Sequence, residues 1–269
     1  MKLLFSESKP DYSHYVFPYA IWAFPEPEET PAILFDHGFL PSSRNLDRFY
    51  LCRQVRVQLE TFRPSSENRR ILRKGEGIAA ALVPRDEFDY TPRRKESYLT
   101  YADIRFGKGV MTGERLDALF HAPITSHVLL FTDIQSGTEA GVATLYLEPP
   151  ALAYYYYAFY DLNFYRRNLG MYMMTYAVRF FAEKGFQFLY LGTCYQPNAL
   201  YKTQFAGAEF FNGVRWSKDL KELKYLLRRD EHLNREHLLE CEEYRRMYYG
   251  QEPSGIATAA GVRLRLRDP

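Results

Sequence analysis

Three groups of residues have the types and spacing for chemistry on anions and amines. The first is Arg166-Arg167-Asn168-Leu169-Gly170-Met171, set between an aromatic run and apolar residues at helical spacing. A loop that leads from a strand end into a helix start offers free backbone N–H groups and the positive end of the helix dipole. Arg166, Arg167 and Gly170 there make a seat for an anion. The second group is Phe62 to Lys74, FRPSSENRRILRK. From Arg44 to Lys74 nine Lys or Arg residues stand against three acids, which suits phosphates or an acidic peptide, with Arg69, Arg70, Arg73 and Lys74 as the candidate contacts. The plain alternative is a solvated helix face. The third group joins Leu189-Tyr190-Leu191-Gly192, Ala199 to Phe205 and Asn212 to Trp216. A strand end, the pair Tyr201-Lys202 and an Asn-Gly hairpin turn would wall a cleft. Asp161 and Glu209 are the candidates for a catalytic base. The six histidines show no metal-ligand spacing, and His232 and His237, five apart, do not share a helical face; no metal is expected.

The elements that must position these groups follow from periodicity. RQVRVQLETF (53–62) alternates, with Val55, Val57 and Leu59 on one side, and predicts a half-buried strand. Ser65 or Ser66 can cap a short helix that ends at Gly75. Residues 10–43, punctuated by six prolines, predict a packed loop, and 76–97 an irregular stretch before the helical SYLTYADIRF. Strands are expected at 127–133, 141–147 and 151–159, the last apolar on both faces and therefore central. A polar loop at 161–167, a helix at 169–184 closed by Gly185 and a strand at 186–192 complete a βαβ unit. Charged residues 217–249 predict a helix or helical pair, and 253–269 a flexible tail.

Composition limits the class. With 46% hydrophobic and 25% charged residues over 269 positions, the chain is expected to fold as one large or two modest domains. Lys and Arg number 35 against 33 Asp and Glu, which excludes a polycationic binder. The longest uncharged stretch, Gly185 to Tyr201, is 17 residues and polar in places, short of the about 20 apolar residues of a membrane span. Met1 to Phe5 is too short for a signal peptide, and three scattered cysteines build neither a disulfide framework nor a metal knuckle. A cytoplasmic protein is expected.

Together the FRPSSENRRILRK segment, the RRNLGMY helix start, FLYLG and LYKTQF…NGVRW resemble the aminoacyl-tRNA–protein transferases, the group of bacterial aspartate/glutamate leucyltransferases and eukaryotic arginyltransferases; Tyr15 to Ala20 with His37-Gly38-Phe39 add to the match. The resemblance runs from residue 12 to 217. It implies a GCN5-related N-acyltransferase-like α/β fold: a mixed, mostly antiparallel sheet flanked by helices, with an N-terminal half packed on it. The expected division is 1–125 for the N-terminal region, 126–217 for the acyltransferase-like core, 218–249 for a charged helical extension and 250–269 for the tail.

The implied activity is transfer of Arg or Leu from aminoacyl-tRNA to the N-terminal amine of acceptor proteins beginning with Asp or Glu, marking them for degradation, with no cofactor beyond the aminoacyl-tRNA donor. Arg166, Arg167, Gly170, Tyr201 and Lys202 would then hold the donor's 3′ end, and Arg69, Arg70, Arg73 and Lys74 the tRNA phosphates or the acceptor's acid. Arg167-x-x-Gly170 also fits the pyrophosphate loop of acyl-CoA enzymes, except that Tyr172 stands where a small residue is usual. Hence the alternatives are an acyl-CoA-dependent N-acetyltransferase and a catalytically silent tRNA or degron binder. The chain departs from the family in its cysteines: Val16-Phe17-Pro18-Tyr19-Ala20 contains none, and Cys52 alone stands in the later cluster's place. A cluster or redox role tied to those cysteines is not carried over.

Overall fold

The computed structural model describes residues 1–231, 236–250, 253–258 and 260, with the backbone alone at 165–167 and 254. In chain order the elements are β1 (Lys2–Glu7), β2 (Tyr19–Phe24), α1 (Pro31–Asp36), β3 (Phe39–Pro41), β4 (Phe49–Leu51), β5 (Gln54–Gln58), α2 (Ser66–Lys74), β6 (Ile78–Pro84), α3 (Pro92–Arg105), α4 (Gly113–His121), β7 (His127–Asp133), β8 (Glu139–Glu148), β9 (Leu152–Tyr160), α5 (Leu169–Glu183), β10 (Phe188–Thr193), β11 (Ala208–Phe211), β12 (Trp216–Ser217), α6 (Leu220–Asp230), α7 (Glu242–Tyr248) and α8 (Pro253–Thr258).

Eight strands form one sheet in the order β12-β11-β5-β10-β9-β8-β7-β6, antiparallel except where β9 meets β10. This is the mixed, mostly antiparallel sheet flanked by helices that the resemblance implies. The tyrosine-rich β9 is central, as its two apolar faces require, and α5 bridges the parallel pair as the expected βαβ unit. Residues before position 126 also enter this sheet, as β5 and β6. One face is covered by α2, α5, α6 and α7, and the other by α1, α3, α4 and a smaller sheet of order β1-β2-β4-β3.

Several local expectations change. The proline-rich stretch 10–43 holds β2, α1 and β3 as well as loop, because Pro31 sits at the first turn of α1, where its missing N–H costs nothing. Residues 78–84 form β6, an edge strand paired with β7 over its whole length. In the tail, α8 buries Ile256 at 1% exposure, while 261–269 lie outside the described residues. The charged segment does form a helical pair, α6 and α7. Buried Glu222 on α6 accepts from Asn212 Nδ2 at 2.8 Å, Tyr244 Oη at 2.6 Å and Ser217 Oγ at 2.5 Å, which ties both helices to the β11–β12 hairpin.

The basic helix α2 starts on a capping box, with Ser65 Oγ accepting from Asn68 N and Asn68 Oδ1 from Ser65 N, both at 3.1 Å. It ends at Gly75, where a Cβ would lie 1.9 Å from the Tyr172 ring. Tyr172 is therefore a core residue of α5, packed on Gly75 and Phe131, and its ring leaves the helix start open although a small residue is usual at its position in acyl-CoA enzymes.

β5 is buried on both faces, not one. Arg56 is 6% exposed, with its guanidinium between the rings of Phe188 and Trp216 at 3.9 and 3.8 Å. Its Nε donates to Glu209 Oε1 at 2.6 Å, and its Nη1 to Asp36 Oδ1 at 2.6 Å and to Tyr190 Oη at 2.9 Å. Burial works against its charge, but Tyr190, Asp36 and Glu209 outweigh it and raise the Arg56 pKa. Glu209, a candidate base from sequence, is thereby committed to a staple that joins β5, β11 and α1.

Arg56→Ala leaves Glu209 buried and unpaired, and is expected to cost about 3–5 kcal/mol in a denaturant titration. Combining Arg56→Met with Glu209→Gln should recover most of that loss; a double variant as unstable as the single one would show that the rings, not the charges, hold the joint.

Buried phenols give a second expectation. Burial raises the pKa values of Tyr98, Tyr101, Tyr154, Tyr155 and Tyr190 above the ordinary value. Folded values above the unfolded one near 10 mean that their contribution is intact below about pH 10 and is lost as the pH climbs through the raised values. The melting temperature should fall steeply above about pH 10, with the tyrosinate absorbance appearing together with unfolding. Tyrosinate formation by these residues in a still-folded chain would contradict it.

Candidate functional site

β9 and β10 pair for only three residues, Leu152–Tyr154 against Phe188–Tyr190. Beyond them β9 continues on β8 alone and β10 on β5 alone, with register shifts between Tyr190 and Gly192 and between Thr144 and Leu145. The two strand edges that face each other across this gap have lost their ladder partner, so backbone N–H and C=O groups line a cleft. The chain leaves β9 through a 3-10 turn at Leu162–Arg167 and enters α5 through Asn168, in the left-handed region at φ 52°. The start of α5 thus lies over the gap, with its free N–H groups at the same end.

Small-ligand sites typically measure about 300–1,000 Å³; the cavity here measures about 910 Å³. Tyr155, Tyr156, Tyr157 and Tyr160 of β9 form one wall, Asn168, Gly170, Met171 and Met174 of α5 the floor, and Leu191, Thr193, Tyr195, Tyr201 and Lys202 the other side. Arg105 and Phe106 close the mouth. Gly170 is required for its lack of a side chain: a Cβ would come within 2.9 Å of the Tyr160 ring.

Lys202 Nζ donates to the Thr193 carbonyl at 2.8 Å, which leaves two ammonium donors for a ligand. Burial lowers the Lys202 pKa, with an opposing effect from Cys194. Burial also raises the phenols of Tyr195 and Tyr201. Burial pushes the Cys52 thiol up to about 12, which favours the thiol over the nucleophilic thiolate. The described lining residues include the cations Arg105 and Lys202 and no Asp or Glu.

Of the residues singled out from sequence, Gly170, Tyr201 and Lys202 meet in this cavity. Arg166 and Arg167 lie in the turn that leads to it, but their side chains are outside the described residues; so is His232. Asp161 sits at the rim of an adjoining groove, where its Oδ1 accepts from Asn163 N and Nδ2 at 2.9 and 2.8 Å. On α2, Arg70 forms a two-bond pair with Glu67 at 2.7 and 2.6 Å, and Arg69 Nη1 donates to the Pro64 carbonyl at 2.6 Å. Arg73 is exposed and Lys74 half-buried. α2 packs on α5, so its basic face is a neighbour of the cavity's floor helix and not part of the cavity. Arg105 and Tyr160 were not legible as site residues. The signal that could have found Tyr160 is its place at the end of an aromatic strand that leads into the RRNLG turn.

No family model matches the chain. It is 27% identical over 172 residues to the aspartate/glutamate leucyltransferase of Ruegeria pomeroyi, covering 61% of each chain. It is 27% identical over 187 residues to that of Pseudomonas aeruginosa, covering 67% of this chain and 76% of the relative. The chain thus spans about three fifths of the length of the first of these relatives. Among solved structures it is similar to FemX, with a TM-score of 0.40 at 10% identity over 53% of each chain. It is also similar to a GCN5-related N-acetyltransferase from Sphaerobacter thermophilus, with a TM-score of 0.37 at 13% identity over 71% of this chain and 56% of that one. By sequence the chain is similar to the aspartate/glutamate leucyltransferases over about three fifths to two thirds of its length.

Proposed function

We propose that the protein transfers an aminoacyl group from aminoacyl-tRNA to the α-amine of an acceptor polypeptide that begins with Asp or Glu. The observation that carries this reading is the cavity where β9 and β10 part: aromatic walls for a terminal base and ribose, a helix start and Lys202 for phosphate or the departing oxygen, and an apolar stretch at Met171, Met174 and Leu191. The amine nitrogen attacks the ester carbonyl carbon, the N–C bond forms as the bond to the ribose oxygen breaks, and the proton released from the amine ends on that oxygen. The ester is already activated, so the site's task is to position two substrates and stabilise the oxyanion.

Leucyl is the donor favoured over arginyl, because an arginyl guanidinium would find two cations and no carboxylate among the described lining residues. Similarity to leucyltransferases supports the same choice. The basic face of α2, with Arg69, Arg70, Arg73 and Lys74, is the candidate track for the tRNA backbone beyond its 3′ end. Action in the cytoplasm, on proteins marked for degradation by the added residue, belongs to the same reading. Among the described residues no helix is long and apolar enough to cross a membrane.

The burial of Tyr172 keeps one competing reading alive, an acyl-CoA donor, since its ring leaves the Asn168–Gly170 turn open. The test presents labelled leucyl-tRNA, arginyl-tRNA and acetyl-CoA separately with peptides beginning Asp, Glu or Ala. Label from leucyl-tRNA on the acidic peptides supports the proposal, and label from acetyl-CoA replaces it. Lys202→Met is expected to lower kcat/KM by about tenfold to a hundredfold, the worth of one or two charge-assisted hydrogen bonds. Arg73→Glu should instead weaken tRNA binding and flatten its salt dependence by about one unit of slope.

A further inference from the structure

Behind the donor cavity lies a second groove, made of two chambers of about 510 and 460 Å³ between α3 and the ends of β8 and β9. Both chambers share Arg93, Ser97, Tyr101, Tyr160 and Asp161, so they form one channel. Tyr101 and Tyr160 also line the donor cavity, and their rings, 4.7 Å apart, are the partition between the two spaces. The partition is held from both sides. Tyr160 rests on Gly170, and Arg105 lies beside the hydroxyls of Tyr101 and Tyr160, whose nearness raises its pKa.

The charges of the groove are divided unequally. Arg94 is committed to Glu139 at 2.7 Å and to the Asp89 carbonyl, and Glu139 also accepts from Tyr98 Oη at 2.6 Å. Arg93, the preceding residue in the first turn of α3, is exposed and has no hydrogen bond or ion pair with any described residue. Asp161 uses Oδ1 on Asn163 and has Oδ2 uncommitted. In the stretch common to both chambers Arg93 is the one cation and Asp161 the one carboxylate among the described residues. Glu96 borders the outer chamber alone.

A free polypeptide amino terminus with an acidic first residue carries the complementary pair, an ammonium and a carboxylate one residue's width apart. We propose that this groove seats the acceptor's amino-terminal residue: Asp161 takes the α-ammonium, Arg93 takes the acidic side chain, and the amine reaches the ester past the Tyr101–Tyr160 partition. The inference rests on the transfer reading above for its chemistry, but binding tests it directly. It makes Arg93 the residue that sets acceptor specificity and Asp161 a positioning residue that holds the nucleophile before attack.

The experiment titrates the protein into peptides labelled at the C-terminus and beginning Asp, Ala, Lys or N-acetyl-Asp, and follows fluorescence anisotropy. The Asp peptide is expected to bind best, and acetylation to weaken it about tenfold or more, the worth of one charge-assisted contact. Arg93→Glu should weaken the Asp peptide and strengthen the Lys peptide, Arg93→Ala should weaken the first without strengthening the second, and Asp161→Asn should weaken every free-amine peptide alike. Arg93 has no partner to lose, so a melting curve like that of the unaltered chain is expected for its variants. Unchanged affinities in the variants, or no preference for the Asp peptide in the unaltered chain, would overturn the groove assignment. In the leucyl-tRNA assay Arg93→Glu should raise KM for the acceptor and leave that for leucyl-tRNA in place. A chain that binds as described yet transfers nothing would lose the transfer reading and keep the groove; one that transfers with acceptor KM unmoved in both variants would lose the groove alone.

Discussion

The short parallel contact between β9 and β10 is the constraint on which the rest of the site depends. Two parallel strands joined by a helix would ordinarily stay paired along their length, and the gain per residue would favour it. Here each strand has a stronger claim on its other side: β9 runs with β8 from Glu148 to Gly141, and β10 with β5 through Thr193. The irregularities at Leu191 and at Tyr156 add local twist to both outer pairs, so the strands diverge once past Tyr154 and Tyr190. The cleft is thus a product of sheet register, and side chains only furnish it. The helix that bridges the two strands must start at the cleft's edge, which brings an anion-seeking helix start to the same place without any further device.

Charge is used in two distinct ways. Arg56 is a strand residue whose cation is enclosed by two rings, a phenol and two carboxylates, with Nε and Nη1 spent on Glu209, Asp36 and Tyr190. Lys202 is also largely enclosed, but it spends one donor on a carbonyl and faces the cavity with the rest. The difference follows from what surrounds each cation. Satisfied buried charges hold elements together, and incompletely satisfied ones at a cavity wall are available for chemistry. Tyrosine is divided in the same manner. Tyr154 and Tyr190 fill the core beneath the small sheet, whereas Tyr155 to Tyr157 and Tyr160, from the same strand, furnish the cleft.

The sequence carried the central unit well. A strand apolar on both faces, a polar turn, a glycine-containing helix start and a second apolar strand can hardly pack other than as β9-α5-β10, and Gly170, Tyr201 and Lys202 do converge there. It was less legible where tertiary context decided. β6 is rich in alanine, which has little strand preference, and exists because β7 offers it a full ladder. The alternation in β5 marks Val55 and Val57 as buried but gives no hint that Arg56 on the other face is buried too, because α1 and the ring of Trp216, distant in sequence, cover that face. The groove beside Tyr101 draws on α3, the turn before β8 and the end of β9, stretches too far apart in sequence for any motif to join them. Tyr172 shows the converse: the motif places it at the start of α5, but helical periodicity turns its side chain into the core.

That same side chain has a consequence for how the substrate surfaces are arranged. The ring of Tyr172 occupies the space a Cβ at Gly75 would fill, so the end of α2 can approach α5 only as a glycine. α2 is capped at its other end by the Ser65–Asn68 box and anchored through Phe62, whose ring meets Phe205 at 6.3 Å, just past the turn that carries Tyr201 and Lys202. Both ends of the basic helix are therefore tied to elements that also build the cavity. Its exposed arginines cannot shift along the surface independently of Lys202 and the α5 start. For the transfer proposed above, a basic helix held in register with an aromatic pocket would let contacts distant from the ester act on its orientation.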